Sequence, residues 1–165
     1  MKPVKVSPSV SAVDLSILIV CYKSRSYIQQ CLEGVIAQTT GCNYEILLVD
    51  CSQDGTEELV RRRFPQVRII PTTENLGFAV GNNVLSEHAR GEYLLLLNPD
   101  TLIVDDAITE LYETAKRNPH AGAIGGRSKT GDGSRDCGCR QALPSLTRLL
   151  LQAVGFGRLV NGARP

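Results

Sequence analysis

Three observations predict an α/β fold with a mostly parallel sheet flanked by helices on both faces. Short apolar runs rich in β-forming residues alternate regularly with stretches of helical periodicity. Runs such as Ile46-Leu47-Leu48-Val49 are apolar at consecutive positions, as strands buried on both faces require. The chain has 165 residues, 42% hydrophobic and 21% charged. That suffices for one domain with its own core and excludes low-complexity or wholly disordered classes.

Taken in order, strands are predicted over residues 16–21, 45–50, 67–71, 92–97 and 121–125. Between the first two, Ile28, Cys31, Leu32, Val35 and Ile36 form an i, i+3, i+4, i+7, i+8 stripe, an amphipathic helix entered after Ser24 or Ser26. Weaker helices are expected over 56–63 and 78–88. Ile108, Leu111, Tyr112 and Ala115 repeat the helical pattern, capped by Asp105 or Asp106 and stopped at Asn118-Pro119. Residues 1–14 are expected to be a flexible segment, 15–126 the α/β domain, and 127–165 a Gly-rich polar loop followed by a helix from Pro144 to Val154.

Eighteen basic and seventeen acidic side chains leave a formal charge of +1, so no strongly basic face is demanded and no nucleic-acid partner is expected. Apolar runs such as Ile17 to Val20 and Leu94 to Leu97 are four residues long, far short of the roughly 20 that span a bilayer. The first fourteen residues carry Lys2 and Lys5 but no apolar export core, which predicts a cytoplasmic protein. Cys21, Cys31, Cys42, Cys51, Cys137 and Cys139 are then expected as reduced thiols. The Cys137-Gly138-Cys139 spacing is too tight for the usual zinc knuckle.

In a parallel α/β sheet ligands bind outside the carboxyl ends of the strands, where strand order reverses. The first strand ends in Cys21-Tyr22-Lys23-Ser24-Arg25 without a glycine. This excludes both the dinucleotide fingerprint and the P-loop, which need backbone to approach phosphate. The second ends in Asp50-Cys51-Ser52-Gln53-Asp54-Gly55-Thr56. Asp54 reads as a helix cap, whereas Asp50, closing an all-apolar strand, has no evident capping task and reads as a ligand group. In Asn98-Pro99-Asp100 proline stops the ladder, leaving two readings of Asp100: a simple turn, or one carboxylate beside a diphosphate holding Mg²⁺ or Mn²⁺. Asn82 shares a helical face with Phe78, Leu85 and Ala89, a face expected to be covered, where a buried amide needs partners. The Arg61-Arg62-Arg63 run reads as a solvated helix end favoured by the helix dipole.

Together these residues resemble the family 2 glycosyltransferases. The resemblance runs from about Leu15 to Thr147 and is nearest the bacterial, rhamnosyltransferase-like branch of cell-surface polysaccharide synthesis. Its carriers are the first strand with Tyr22, the Asp50 to Thr56 loop, Glu74-Asn75-Leu76-Gly77-Phe78 with Gly81-Asn82-Asn83, Leu97-Asn98-Pro99-Asp100, and Asp132-Gly133-Ser134 with Leu143-Pro144-Ser145-Leu146. Lys23 stands where the family usually has Asn, and Asp50 and Asp54 are spaced more closely than the corresponding family acids.

The resemblance implies a Rossmann-like sheet of the A-type glycosyltransferase fold and transfer of a sugar, with inversion, from a nucleoside-diphosphate donor to an acceptor hydroxyl. By it, Cys21 and Tyr22 line the nucleoside pocket and Asp50 hydrogen-bonds the base. Asn75, Gly77 and Asn82 stand against the nucleotide, and Asn98 and Asp100 occupy the Asp-x-Asp position, with Asp100 binding Mg²⁺ or Mn²⁺. The general base is expected beyond Pro165, so the chain is expected to hold the donor half and the start of an acceptor region. Expected partners are a nucleotide-sugar and a glycan or lipid-linked acceptor, with membrane-surface association at the inner face through parts beyond this chain. Two other classes compete: a non-catalytic nucleotide-sugar-binding or regulatory protein, and a sugar-nucleotide pyrophosphorylase, which should carry a Gly-rich loop after the first strand.

Overall fold

A computed structural model describes residues 13–127. They form β1 (Leu15–Cys21), α1 (Ile28–Gln38), β2 (Tyr44–Asp50), α2 (Thr56–Arg63), β3 (Arg68–Ile69), α3 (Gly77–His88), β4 (Tyr93–Leu96) and α4 (Ala107–Arg117). One compact unit ends at Ile124. The Asp132-Gly133-Ser134 loop and the helix expected from Pro144 lie outside the described residues.

The four strands are parallel in the order β3-β2-β1-β4. The chain steps outward from β1 through β2 to β3 and then returns to add β4 on the other side of β1. Strand order therefore reverses between β1 and β4, and the crevice at their carboxyl ends is where a ligand is expected.

β1 and β2 are buried almost throughout because helices cover both of their faces. On one face Ile17, Ile19, Ile46 and Leu48 pack with Ile28, Cys31, Leu32 and Val35 of α1, Val60 of α2 and Ile108 of α4. On the other, Leu18, Leu47 and Val49 pack with Leu85 of α3. Gly81 permits the close approach of α3: a Cβ there would meet both methyls of Val20 at 2.9 Å.

Helices flank both faces of the sheet at β1 and β2, as expected, while among the described residues Leu94 and Leu96 of β4, which pair with Ser16 and Leu18, stay 46% and 51% exposed. Phe78, expected on the covered face of α3, is exposed as well. It lies in the first turn of the helix, two turns before Leu85, and no described residue covers it. The strand expected over 121–125 does not form. Its Ala and Gly residues offer little side-chain surface to a sheet, and Ala121 N–H instead donates to the Asn118 carbonyl in a turn. β3 shortens to Arg68–Ile69, and Ile70 N–H still donates to the Leu48 carbonyl at 2.8 Å where the chain leaves β2.

The amino ends of the strands are tied by one polar knot. Ser16 Oγ donates to Glu45 Oε1 at 2.8 Å and accepts from Gly91 N–H at 2.9 Å. Arg90 closes a two-pronged pair on Glu45 Oε2, at 3.0 Å from Nε and 2.7 Å from Nη2. Burial alone would raise the Glu45 pKa, but the hydrogen bonds from Arg90 and Ser16 outweigh it and hold the carboxyl below its ordinary value.

Candidate active site at the carboxyl edge

The opposite edge carries the residues of interest, and its organising element is the loop after β2. Asp50 is nearly buried. Its Oδ1 accepts from Ser52 N–H at 3.0 Å and Ser52 Oγ at 2.8 Å, and its Oδ2 accepts from Glu57 N–H at 3.1 Å. Asp50 therefore does have a capping task, since it satisfies a free N–H in the first turn of α2. The expectation that it had none fails because the loop folds back far enough to bring Glu57 onto the strand end. Oδ2 retains lone-pair capacity for a ligand donor.

Asp54 caps the same helix, as predicted. Its Oδ1 accepts from Thr56 N–H at 3.0 Å and Thr56 Oγ1 at 2.6 Å, and its Oδ2 from Arg25 N–H at 3.2 Å. Desolvation pushes this carboxyl up, but the donors from Thr56, Arg25 and Ser52 together pull it below its ordinary value.

The β1 and β2 loops are locked together. Cys51 N–H donates to the Cys21 carbonyl at 2.8 Å and Lys23 N–H to Ser52 Oγ at 3.0 Å. Arg25 Nη1 reaches the Gly55 carbonyl at 3.1 Å. Tyr22 N–H donates to Ser24 Oγ at 3.1 Å, and Tyr22 is 53% exposed. Cys21 offers the edge only backbone, because its side chain is fully buried. Burial first, then the charge of Asp50, drives its thiol pKa far upward. Asp50, Ser52, Gln53, Gly55, Glu57, Glu58 and Arg61 line a shallow groove of about 350 Å³.

On the other side of β1, the Asn98 carbonyl accepts from Thr101 N–H at 3.1 Å and from the Cys31 thiol at 3.7 Å. These bonds seat the Asn98-Pro99-Asp100 turn against α1. Burial, then the nearby Asp100 charge, pushes the Cys31 thiol up to about 11. Asp100 is exposed, and no described residue donates a hydrogen bond to its carboxylate. Among the described residues no three His, Cys, Asp or Glu side chains gather into a metal cage. One open carboxylate still suits Mg²⁺ or Mn²⁺ at a diphosphate, since such ions take most ligands from phosphate oxygens and water.

α3 follows β3 in the chain and packs its Gly81 against Val20 of β1. Asn75 Oδ1 accepts from Gly77 N–H at 3.1 Å, and Gly77 takes the left-handed φ of 67° that this turn requires. Asn82, 6% exposed, donates from Nδ2 to the Phe78 carbonyl at 2.8 Å, which fixes the orientation of the amide. Its Oδ1 has no partner among the described residues, a rare and costly state for a buried acceptor. No hydrogen bond among the described residues joins Asn75, Gly77 or Asn82 to Asp50 or Asp100.

Sequence reasoning missed Ser52, whose hydroxyl accepts from Lys23 N–H and so joins the two loops, and the local bonds of Ser24 Oγ to the Tyr22 backbone and Thr56 Oγ1 to Asp54. The signal for Ser52 and Thr56 was the Ser-x-Asp-Gly-Thr run, whose short polar side chains bond groups two residues away.

The parallel sheet, its reversal between β1 and β4, and the acidic loops at that edge define an α/β protein in which a ligand is expected at the carboxyl ends of the strands. Residues 16–158 match the family model for glycosyl transferase family 2, and the chain belongs to that family. It is similar to N-acetylglucosaminyl-diphospho-decaprenol L-rhamnosyltransferase of Mycobacterium tuberculosis, at 32% identity over 151 residues, 85% of this chain and 49% of that protein. It is also similar to poly-beta-1,6-N-acetyl-D-glucosamine synthase of Staphylococcus epidermidis, at 29% identity over 70% of this chain and 28% of that one. Mannosyltransferase PcManGT from Pyrobaculum calidifontis, solved with GDP-Man and Mn²⁺, superposes with a TM-score of 0.58 at 25% identity, covering 69% of this chain and 36% of that one. The sheet and its helices are those of the A-type glycosyltransferase fold. The chain spans about half the length of the mycobacterial relative. No described helix is long and apolar enough to cross a membrane.

Proposed function

We propose that this chain is the donor-binding part of an inverting glycosyltransferase of cell-surface polysaccharide synthesis, acting in the cytoplasm at the inner face of a membrane. The donor is a nucleoside-diphosphate sugar and the acceptor a hydroxyl of a glycan or lipid-linked sugar. One observation carries the reading. In a family 2 chain, the loops after β1, β2 and β4 bring Tyr22, Asp50 and Asp100 to one edge of the sheet at its point of reversal.

Tyr22 presents an exposed ring on which a base can stack. Asp50, pinned by Ser52 and Glu57, offers the spare lone pair of Oδ2 to a base or ribose donor. Asn82 brings a buried acceptor still lacking its partner. Asn75 and Gly77 shape the approach of α3, while Cys21 and Asn98 contribute backbone. Asp100 would hold Mg²⁺ or Mn²⁺, which would neutralise the diphosphate as it leaves. In this reading residues 15–126 form the donor domain, and the acceptor base comes from sequence beyond Pro165.

Calorimetry of the chain with UDP, dTDP and GDP, with and without Mn²⁺, tests the assignment. Binding of one diphosphate, strengthened by Mn²⁺ in the wild type and insensitive to Mn²⁺ in Asp100→Ala, is expected. Absence of binding to all three would overturn the donor site, and an unchanged Mn²⁺ effect in the variant would overturn the role of Asp100.

A further inference from the structure

We propose that Lys23 is a cation of the donor site that pairs with the diphosphate, an inference that rests on the donor-site reading above. Lys23 has φ +54°, the left-handed region that Gly, and less often Asn or Asp, occupies readily and that a long side chain enters at a steric cost. The conformation is enforced from both sides. Lys23 N–H is bound to Ser52 Oγ at 3.0 Å, Tyr22 N–H to Ser24 Oγ at 3.1 Å, and Arg25 N–H to Asp54 Oδ2 at 3.2 Å. A backbone position suited to glycine or asparagine thus holds a residue that it strains, and such outliers gather at binding sites.

Charge identifies the task. Asp50, Asp54 and Asp100 lie on the loops of this edge, and a diphosphate would bring further negative charge to it. The segments after the four strands, residues 22–27, 51–55, 70–76 and 97–106, contain two cations, Lys23 and Arg25. Arg25 is committed, with Nη1 donating to the carbonyls of Asp54 at 3.4 Å and Gly55 at 3.1 Å. Lys23 forms no ion pair among the described residues, and its ammonium rests 5.5 Å from the centre of the Tyr22 ring. Both side chains are exposed, so that contact is weak and readily exchanged for a phosphate oxygen. The pair stands at the end of β1, the strand that β2 and β4 flank, and so at the crevice itself.

The test compares the full chain with its Lys23→Met, Lys23→Arg and Lys23→Asn variants. Calorimetry is run with UDP, dTDP and GDP and with the matching nucleosides, at low and high salt. Lys23→Met should weaken the bound diphosphate about tenfold and flatten its salt dependence, leaving nucleoside affinity unchanged. Lys23→Arg should retain diphosphate binding. Lys23→Asn should lose it as the Met variant does, yet raise the thermal midpoint by roughly 2 to 4 °C as the strain is relieved. That rise also establishes that the loss does not come from misfolding. Unchanged diphosphate affinity in Lys23→Met would overturn the proposal, as would an equal loss for nucleoside, which would place Lys23 on the base. Failure of the wild type to bind any diphosphate would instead overturn the donor site, before a variant is compared.

Discussion

Removing the Ser52 hydroxyl should loosen the carboxyl edge more than the size of the change suggests. Ser52 Oγ accepts from Lys23 N–H at 3.0 Å and stands 2.8 Å from Asp50 Oδ1 and 3.1 Å from Asp54 Oδ1. Its single proton serves one carboxylate at a time, so two bonds are lost in Ser52→Ala, one of them to a charged acceptor. A neutral bond contributes about 1 kcal/mol and a charged one about 1.5 to 3. Lys23 is exposed, so water recovers part of the first, and Asp50 keeps Ser52 N–H and Glu57 N–H. The net loss should be about 2 kcal/mol, or roughly 4 to 8 °C in thermal midpoint for a chain of this size. Urea denaturation followed by circular dichroism measures it directly. Because the hydroxyl anchors the strained Lys23 turn, amide exchange should also quicken at residues 22–25 and remain unchanged at the Ser16 and Glu45 end. A loss below about 0.5 kcal/mol, within the range of ordinary surface substitutions, would refute the claim that Ser52 locks the two loops.

Further outcomes follow from the same geometry. In Gly91→Ala the new Cβ would meet Ser16 N at 2.5 Å and the Leu15 carbonyl carbon at 2.7 Å, both backbone. It should cost about 3 kcal/mol. Gly34→Ala, in the interior of α1 with Ile103 at 3.4 Å, should instead raise stability by about half a kcal/mol through helix propensity; similar urea midpoints for the two variants would contradict this packing. Asp54 and Glu45 both have folded-state pKa values below their ordinary ones. Their contribution to stability is therefore complete above the unfolded carboxylate range near about 4 and is lost as pH falls through the depressed folded values. Urea midpoints should hold from neutrality down to that range and then drop, and Asp54→Asn should show a shallower drop; a midpoint that rises on acidification would reverse the sign.

Much of the fold was legible because local and tertiary signals agreed. α2 begins and ends where its pattern placed it, and β1 and β2 announced themselves as apolar runs because both of their faces are in fact covered. β4 also forms where its leucine run placed it, although consecutive apolar residues do not tell a strand covered on both faces from one with a face open among the described residues. Residues 121–125 carried an apolar pattern without the side-chain volume to reward pairing. At the site, the positions of Asp50, Asn98 and Asp100 at strand ends could be read from the sequence, because proline and the end of an apolar run mark where a strand stops. What Asp50 holds could not be read, because its partner Glu57 is seven residues away and reaches it only through the turn at Gly55, with φ +82°. The left-handed backbone of Lys23 was hidden for the same reason: it is imposed by Ser52, 29 residues further along the chain.

A nucleotide is proposed to bind across the carboxyl ends of β1, β2 and β4. Amide chemical-shift mapping of the labelled chain during titration with the diphosphate that binds tests it most directly. The largest shifts should fall on Tyr22 to Arg25, Asp50 to Gly55, Asn82 and Asn98 to Thr101, with Ser16, Glu45 and Gly91 at the opposite edge unmoved. Shifts centred on that opposite edge, or confined to the exposed face of β4 around Leu94 and Leu96, would contradict it.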